Sequence, residues 1–219
     1  MGRIAARAHG VRRVLSRRGT GLLPLHRVAV TCELHSAGYT VKSVECLNAH
    51  TSSWRDPHIF SCAHQGIELL LKLTEEGEPL PELFNLACTF LSASRSPHPP
   101  HLVPLFTLKL LHHLGSFPSI THSSISHLPF RLEDALVLSV GSGGLSLVQE
   151  DPAGLRISRG LRGMLLRVPT LDLTFLPPCP EALLLELERF VQRLIGNQLG
   201  VSLAAPAVSF AMSSGVTPI

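Results

Sequence analysis

The spacing of apolar residues changes once along this chain, and that change limits what the chain can fold into. Up to about residue 54, apolar side chains recur at every second position. In "GRIAARAH", Ile4, Ala6 and Ala8 alternate with Arg3, Arg7 and His9. From His26 onward, Val28, Val30, Cys32 and Leu34 alternate with Arg27, Ala29, Thr31 and Glu33. A period of two belongs to a half-buried strand. "HSAGY" supplies a turn, and "YTVKSVECL" is a third strand rich in Val and Thr. Between the first two strands, "VRRVLSRRGTG" reads as a basic loop with glycines at its end. Three such segments predict a small antiparallel sheet or barrel over residues 1–54.

Beyond Trp54 the period becomes helical. Asp56 before Pro57 is a cap followed by a first-turn proline, and Ile59, Ala63, Ile67, Leu70 and Leu71 form one stripe. Pro81 opens a second helix with Leu83, Leu86, Ala87, Phe90 and Leu91 facing inward, until "SRSPHPPH" breaks it. Pro104 opens a third, with Phe106, Leu110, Leu111 and Leu114 on one face and Gly115 where a left-handed residue is wanted. Residues 158–168 read as a helix through Leu161, Met164, Leu165 and Val168, stopped by Pro169. The clearest helix runs from Glu181 to Leu199, and "SSGVTPI" reads as a frayed tail. The fold class predicted is therefore α+β, with a β domain over 1–54 and a helical domain over 55–219.

Charge is distributed unevenly. The net charge of +3 conceals seven arginines before the first acid at Glu33: Arg3, Arg7, Arg12, Arg13, Arg17, Arg18 and Arg27. A second acid-free interval, between Asp151 and Asp172, carries Arg156, Arg159, Arg162 and Arg167. Such segregation creates a local positive field, and the planar guanidinium suits phosphate oxygens. The first cluster is the candidate nucleic-acid site and the second a further basic surface. Tyr39 and Trp54 are the only aromatic residues among the first 55, so stacking on bases is expected to be weak and backbone contact to dominate.

Several classes are excluded on sequence grounds. Apolar content of 45% with 16% charged residues is not that of a disordered polyelectrolyte. There is no GxSxG elbow, Walker loop or HExxH, and "GSGG" at Gly141–Gly144 reads as a hairpin turn, so no catalytic residues and no cofactor are expected. The longest apolar candidate for a membrane span, Ala135 to Val148, is cut by that same turn, and no membrane partner is expected. Five singly spaced cysteines and a start without an apolar signal core fit reduced thiols in the cytosol. The histidine pairs His98/His101, His112/His113 and His122/His127 lack the register of a metal site, so none is expected.

The order of segments is informative beyond any single motif. "GRIAARAHGVRR", "LLPLHRVAVTCEL", "LLLKLTEEGEPLPELFNL", "FTLKLLHHLGSFPSI" and "LERFVQRLIGNQLGVSL" together resemble, over roughly residues 2–210, the bacterial recombination mediator family RecO. The resemblance implies an N-terminal OB-fold followed by a helical domain, without catalytic turnover. It implies binding of single- and double-stranded DNA, annealing of complementary strands, and work with the single-stranded-DNA-binding protein. It further implies RecR as a partner and, through it, loading of the recombinase RecA. A cytoplasmic, nucleoid-associated location follows. Under this resemblance, Arg156, Arg159, Arg162 and Arg167 either extend the DNA surface or receive the acidic tail of the single-strand-binding protein.

Two departures from the family pattern stand out. Many family members hold a structural zinc with two CxxC pairs; here "THSS" stands in the first place, and "GSGG" lies without cysteine near the second. Residues of about 116–150 are thus a degenerate zinc-hairpin region, expected to be held by apolar packing through Ile120, Ile125, Leu128 and Phe130. Relatives also carry an opening strand or two before the segment matching "GRIAARAHG". The expectation is a start lying further upstream, an incomplete barrel and a poorly paired first strand. The competing class is a helical adaptor with a basic N-terminal targeting segment and no DNA-binding role. Gly2, Gly10, Gly19 and Gly21 speak against a targeting helix. A metal-dependent hydrolase is the weakest alternative.

Overall fold

The computed structural model describes residues 2–6, 10–15, 23–36, 38–51, 56–75, 79–95 and 99–199, with backbone alone for 2–6, 10–15, 38 and 197–199. Four strands come first: β1 (Gly2–Ala6), β2 (Gly10–Leu15), β3 (Arg27–His35) and β4 (Gly38–Asn48). They form one sheet in the order β1-β2-β4-β3, open rather than closed into a barrel among the described residues. β3 and β4 make a long antiparallel ribbon with irregularities at Arg27/Val28 and Thr31/Cys32. Such irregularities sharpen the local twist. β2 joins β4 through a parallel pair, Val14 opposite Tyr39 and Leu15 opposite Thr40.

Two expectations are corrected here. Residues 10–15 are a strand, not part of a basic loop. Val11 and Val14 carry β-preference that the surrounding arginines obscure, and pairing on both sides supplies the rest. Nor is the first strand poorly paired: each residue from Gly2 to Ala6 has a partner on β2.

The helices follow: α1 (Pro57–Leu73), α2 (Pro81–Ala93) and α3 (Leu102–His113). Asp56 caps α1 by accepting the N–H groups of His58 and Ile59 at 2.8 and 3.4 Å. α3 begins at Leu102 rather than at Pro104. The proline sits in the first turn, where its missing N–H costs nothing. Gly115 follows with φ of 70°, the left-handed conformation that glycine adopts freely.

α3 is the centre of the helical half. Leu102, Leu105, Phe106, Thr107, Leu108, Leu110 and Leu111 are all buried, so it is enclosed nearly all round instead of along one stripe. Thr107 satisfies its hydroxyl by donating to the Val103 carbonyl at 2.9 Å. Phe106 stacks on Phe90 of α2 with ring centroids 4.1 Å apart. Gly66 of α1 admits that pair: a Cβ there would lie 2.4 Å from Phe90 Cε1.

A second sheet, β5 (Leu136–Leu138), β6 (Leu145–Leu147) and β7 (Leu155–Ile157), is antiparallel in the order β6-β5-β7, a hairpin of β5 and β6 with β7 added on the other side of β5. It leads to α4 (Arg159–Arg167), a single 3₁₀ turn through Pro169, and α5 (Glu181–Leu199). Leu187, Phe190, Val191, Leu194 and Ile195 carry α5 into the shared core. Lys109 of α3 donates to the Leu171 carbonyl at 2.6 Å, tying the segment after α4 to the central helix. Among the described residues, no helix is long and apolar enough to cross a membrane.

Candidate nucleic-acid interface

The first basic cluster falls on and around β1 and β2. In their register Arg3 lies opposite Arg13, and Arg12 lies opposite Ile4. Directly opposed residues of neighbouring antiparallel strands have Cα atoms about 4.5–5.5 Å apart. Arg27 opens β3 and is exposed. Arg7, Arg17, Arg18 and Trp54 lie outside the described residues.

The hairpin end of the β3–β4 ribbon, where β4 also meets β2, carries an ion pair. Glu33 pairs with Lys42 and lies 3.4 Å from His35 Nε2, and the Lys42 ammonium pulls its carboxyl below the ordinary glutamate range. Glu45 lies opposite Ala29 on the same ribbon.

The four residues of the second basic set differ in their surroundings. Arg156 on β7 is exposed, as are Arg159 and Arg167 near the two ends of α4. Arg162 is different. Its guanidinium donates to the Arg131 carbonyl at 2.7 Å and the Leu132 carbonyl at 3.4 Å, and lies 5.9 Å above the Phe130 ring. That arginine fixes the loop before β5. Ser158 caps α4 by accepting the Leu161 N–H at 3.1 Å, and its own hydroxyl donates to Glu186 of α5 at 2.6 Å.

Beside Arg162 runs a shallow groove of about 420 Å³, lined by Leu132, Glu133, Arg159, Gly163 and Leu166. Leu132 is 85% exposed and Leu166 is 49% exposed. Gly163 has no atom within 4 Å of where its Cβ would be, although a glycine inside a helix costs about 1 kcal/mol relative to alanine. No internal packing accounts for that glycine. The charge pattern pointed to Arg159 and Arg162, whereas the leucines and the glycine of the groove were not singled out; the only signal was an isolated Gly within a helical pattern.

The hairpin region is also held differently from expectation. Ile120 and Phe130 pack partly against the core, but Ile125 is 46% exposed and Leu128 60% exposed. Backbone bonds close the hairpin, Ser123 N–H to the Leu128 carbonyl at 2.9 Å and Phe130 N–H to the Thr121 carbonyl at 2.8 Å. The rest is done by hydroxyl and carboxylate groups that join "THSS" to the "GSGG" turn, as in the 2.6 Å contact between Ser124 and Ser142. The two segments meet through polar side chains, not through the apolar packing expected. Among the described residues no group of three or more His, Cys, Asp or Glu could hold a metal ion.

Comparison with known proteins adds two findings. The family model described as recombination protein O, C-terminal, matches residues 55–206. The DNA repair protein RecO of Delftia acidovorans is 28% identical over 151 residues, which cover 66% of this chain and 58% of that relative. The chain thus spans less than two thirds of the length of the curated relative it matches.

Proposed function

The chain belongs to the RecO family, and on that premise we propose that it serves DNA repair and homologous recombination as a mediator without catalytic turnover. Residues 1–54 form the nucleic-acid-binding domain and 55–219 the helical domain. Single- and double-stranded DNA are held by their backbones at Arg3, Arg7, Arg12, Arg13, Arg17, Arg18 and Arg27. Two complementary strands repel each other, and a cationic surface that screens both lowers the cost of bringing them together. Base pairing between the strands then reads the sequence. Strand annealing, work with RecR and loading of RecA follow from the family, as does a cytoplasmic, nucleoid-associated location.

The observation that carries this proposal is the opposition of Arg3 and Arg13 in a segment free of acids up to Glu33. Filter binding of a labelled oligonucleotide tests it. Retention should fall steeply between low and moderate salt, with a log–log slope of about −0.7 for each phosphate contacted on a single strand. A helical adaptor without a DNA role would retain no oligonucleotide at either salt concentration.

The groove along α4 suits the acidic tail of the single-strand-binding protein. Arg159 and Arg162 offer positive charge against the one carboxylate of the lining, Glu133; exposed Leu132 and Leu166 offer apolar walls, and Gly163 lets a backbone approach. Exchanging Leu166 for Asp is expected to weaken binding of a labelled acidic peptide with an apolar end at least about tenfold, a loss of about 1.4 kcal/mol. Oligonucleotide retention should not change. Equal peptide affinity in the variant and the wild type would remove the groove from this role.

A further inference from the structure

Five side chains, from the hairpin, from β6 and from the turns on either side of it, link residues 121–130 to the second sheet. Ser123, 2% exposed, donates its hydroxyl to Glu150 Oε2 at 2.6 Å and accepts the N–H groups of Ile125 and Ser126 at 3.2 and 3.3 Å. The same carboxylate oxygen accepts the Leu147 N–H at 2.9 Å. Ser124 bridges the hydroxyls of Ser142 at 2.6 Å and Ser146 at 2.9 Å, and Ser146 is fully buried. The Ser124 N–H donates to the Leu145 carbonyl at 2.7 Å.

We propose that this cluster is a metal-independent clasp fastening the hairpin onto the three-stranded sheet, with Glu150 as its one charged member. Three properties support it. First, the side-chain links join residues 18, 22 and 27 apart in the chain, so they close loops that backbone pairing at the hairpin does not close. Second, a buried hydroxyl is costly without a partner, and hydrogen bonds to an ionised carboxylate are stronger than neutral ones. Third, the close approach is built into the backbone. A Cβ on Gly144 would lie 2.6 Å from Ser124 Cβ, so only glycine lets β6 come this near.

The groups around Glu150 define its pH behaviour. It faces the Ser123 and Ser126 hydroxyls and the Leu147 N–H, in that order of effect, and these hold its carboxyl below the ordinary glutamate range. Neighbouring Asp151 is engaged elsewhere, with Ser139 and with the Val140 N–H. On the hairpin side, His122 contacts the Thr121 hydroxyl through Nδ1 at 3.0 Å and His127 occupies the turn. A carboxyl depressed in the folded state stabilises fully above its unfolded value. That contribution disappears as the pH falls through the ordinary glutamate range to the lower folded value.

Hydrogen exchange followed by mass spectrometry on the full chain tests the clasp. In Glu150→Ala, amides of residues 121–130 and 142–150 should exchange at least about tenfold faster, while those of α1, α2, α3 and α5 keep their wild-type rates. Ser123→Ala should act on the same amides, and the effect of the double variant should fall short of the sum of the two single effects, because the two side chains share one bond. Wild-type protein treated with a strong zinc chelator should exchange like untreated protein. Unchanged rates in Glu150→Ala, uniform acceleration over all elements in both single variants, or chelator-induced opening of the wild type would each overturn the proposal.

Discussion

Replacing Arg12, Arg13, Arg17 and Arg18 together by alanine is expected to abolish strand annealing while leaving the far-ultraviolet circular dichroism of the chain unchanged. The expectation rests on counterion release. Each arginine that neutralises a phosphate on a single strand contributes about −0.7 to the slope of log affinity against log salt, so losing four should flatten that slope by roughly 3. Affinity at moderate salt should fall by about a hundredfold or more, uniformly across oligonucleotide sequences, because no base edge is being read. The fold should survive. Like charges opposed in register, as Arg3 and Arg13 are, cost stability, so relieving such crowding does not weaken the sheet. A variant that anneals as well as the wild type would show that the backbone contacts lie elsewhere, with Arg27, Arg156, Arg159 and Arg167 exposed cations that the variant keeps.

The elements that could be read directly were those in which one physical signal dominates. α1, α2 and α5 are long, amphipathic and punctuated by proline or by a capping aspartate; the core face of α2 lies where periodicity puts it, whereas that of α1 is turned towards Cys62, Gly66 and Leu69, leaving Ile67 and Leu71 half-buried. β2 escaped because four arginines between residues 12 and 18 look like loop chemistry, although strand pairing depends on the backbone and on Val11 and Val14. α3 was legible as a helix but not as the central one. Its burial on nearly all sides comes from helices distant in the chain, which a local window does not contain. The clasp was hidden for the same reason. Ser123, Ser146 and Glu150 are ordinary polar residues until the fold places them together. Arg162 shows the converse, since a charge that reads as phosphate-seeking is spent on the carbonyls of Arg131 and Leu132.

The packing of α1 against α2 and α3 gives the second large effect. Phe90→Ala is expected to destabilise the helical half by about 3–5 kcal/mol, because it removes a fully buried ring and leaves a cavity. In a chain of this length that corresponds to a fall in melting temperature of roughly 10 °C or more. The informative companion is Gly66→Ala. On helix propensity alone it should stabilise α1 by about 1 kcal/mol. Here the added Cβ would meet Phe90 Cε1 at 2.4 Å and Cζ at 2.5 Å. That ring has nowhere to retreat, since it already stacks on Phe106 at 4.1 Å. Overpacking of this kind costs about 1–3 kcal/mol, so the net sign should reverse and Gly66→Ala should melt earlier than the wild type. In a Phe90→Leu background the clash is relieved, and the same alanine should become neutral or stabilising, a clear departure from additivity. Thermal melts of the four proteins in that cycle decide the matter. A Gly66→Ala variant more stable than the wild type would mean that the stacked pair yields, and that α1 is not locked against α2 through this glycine.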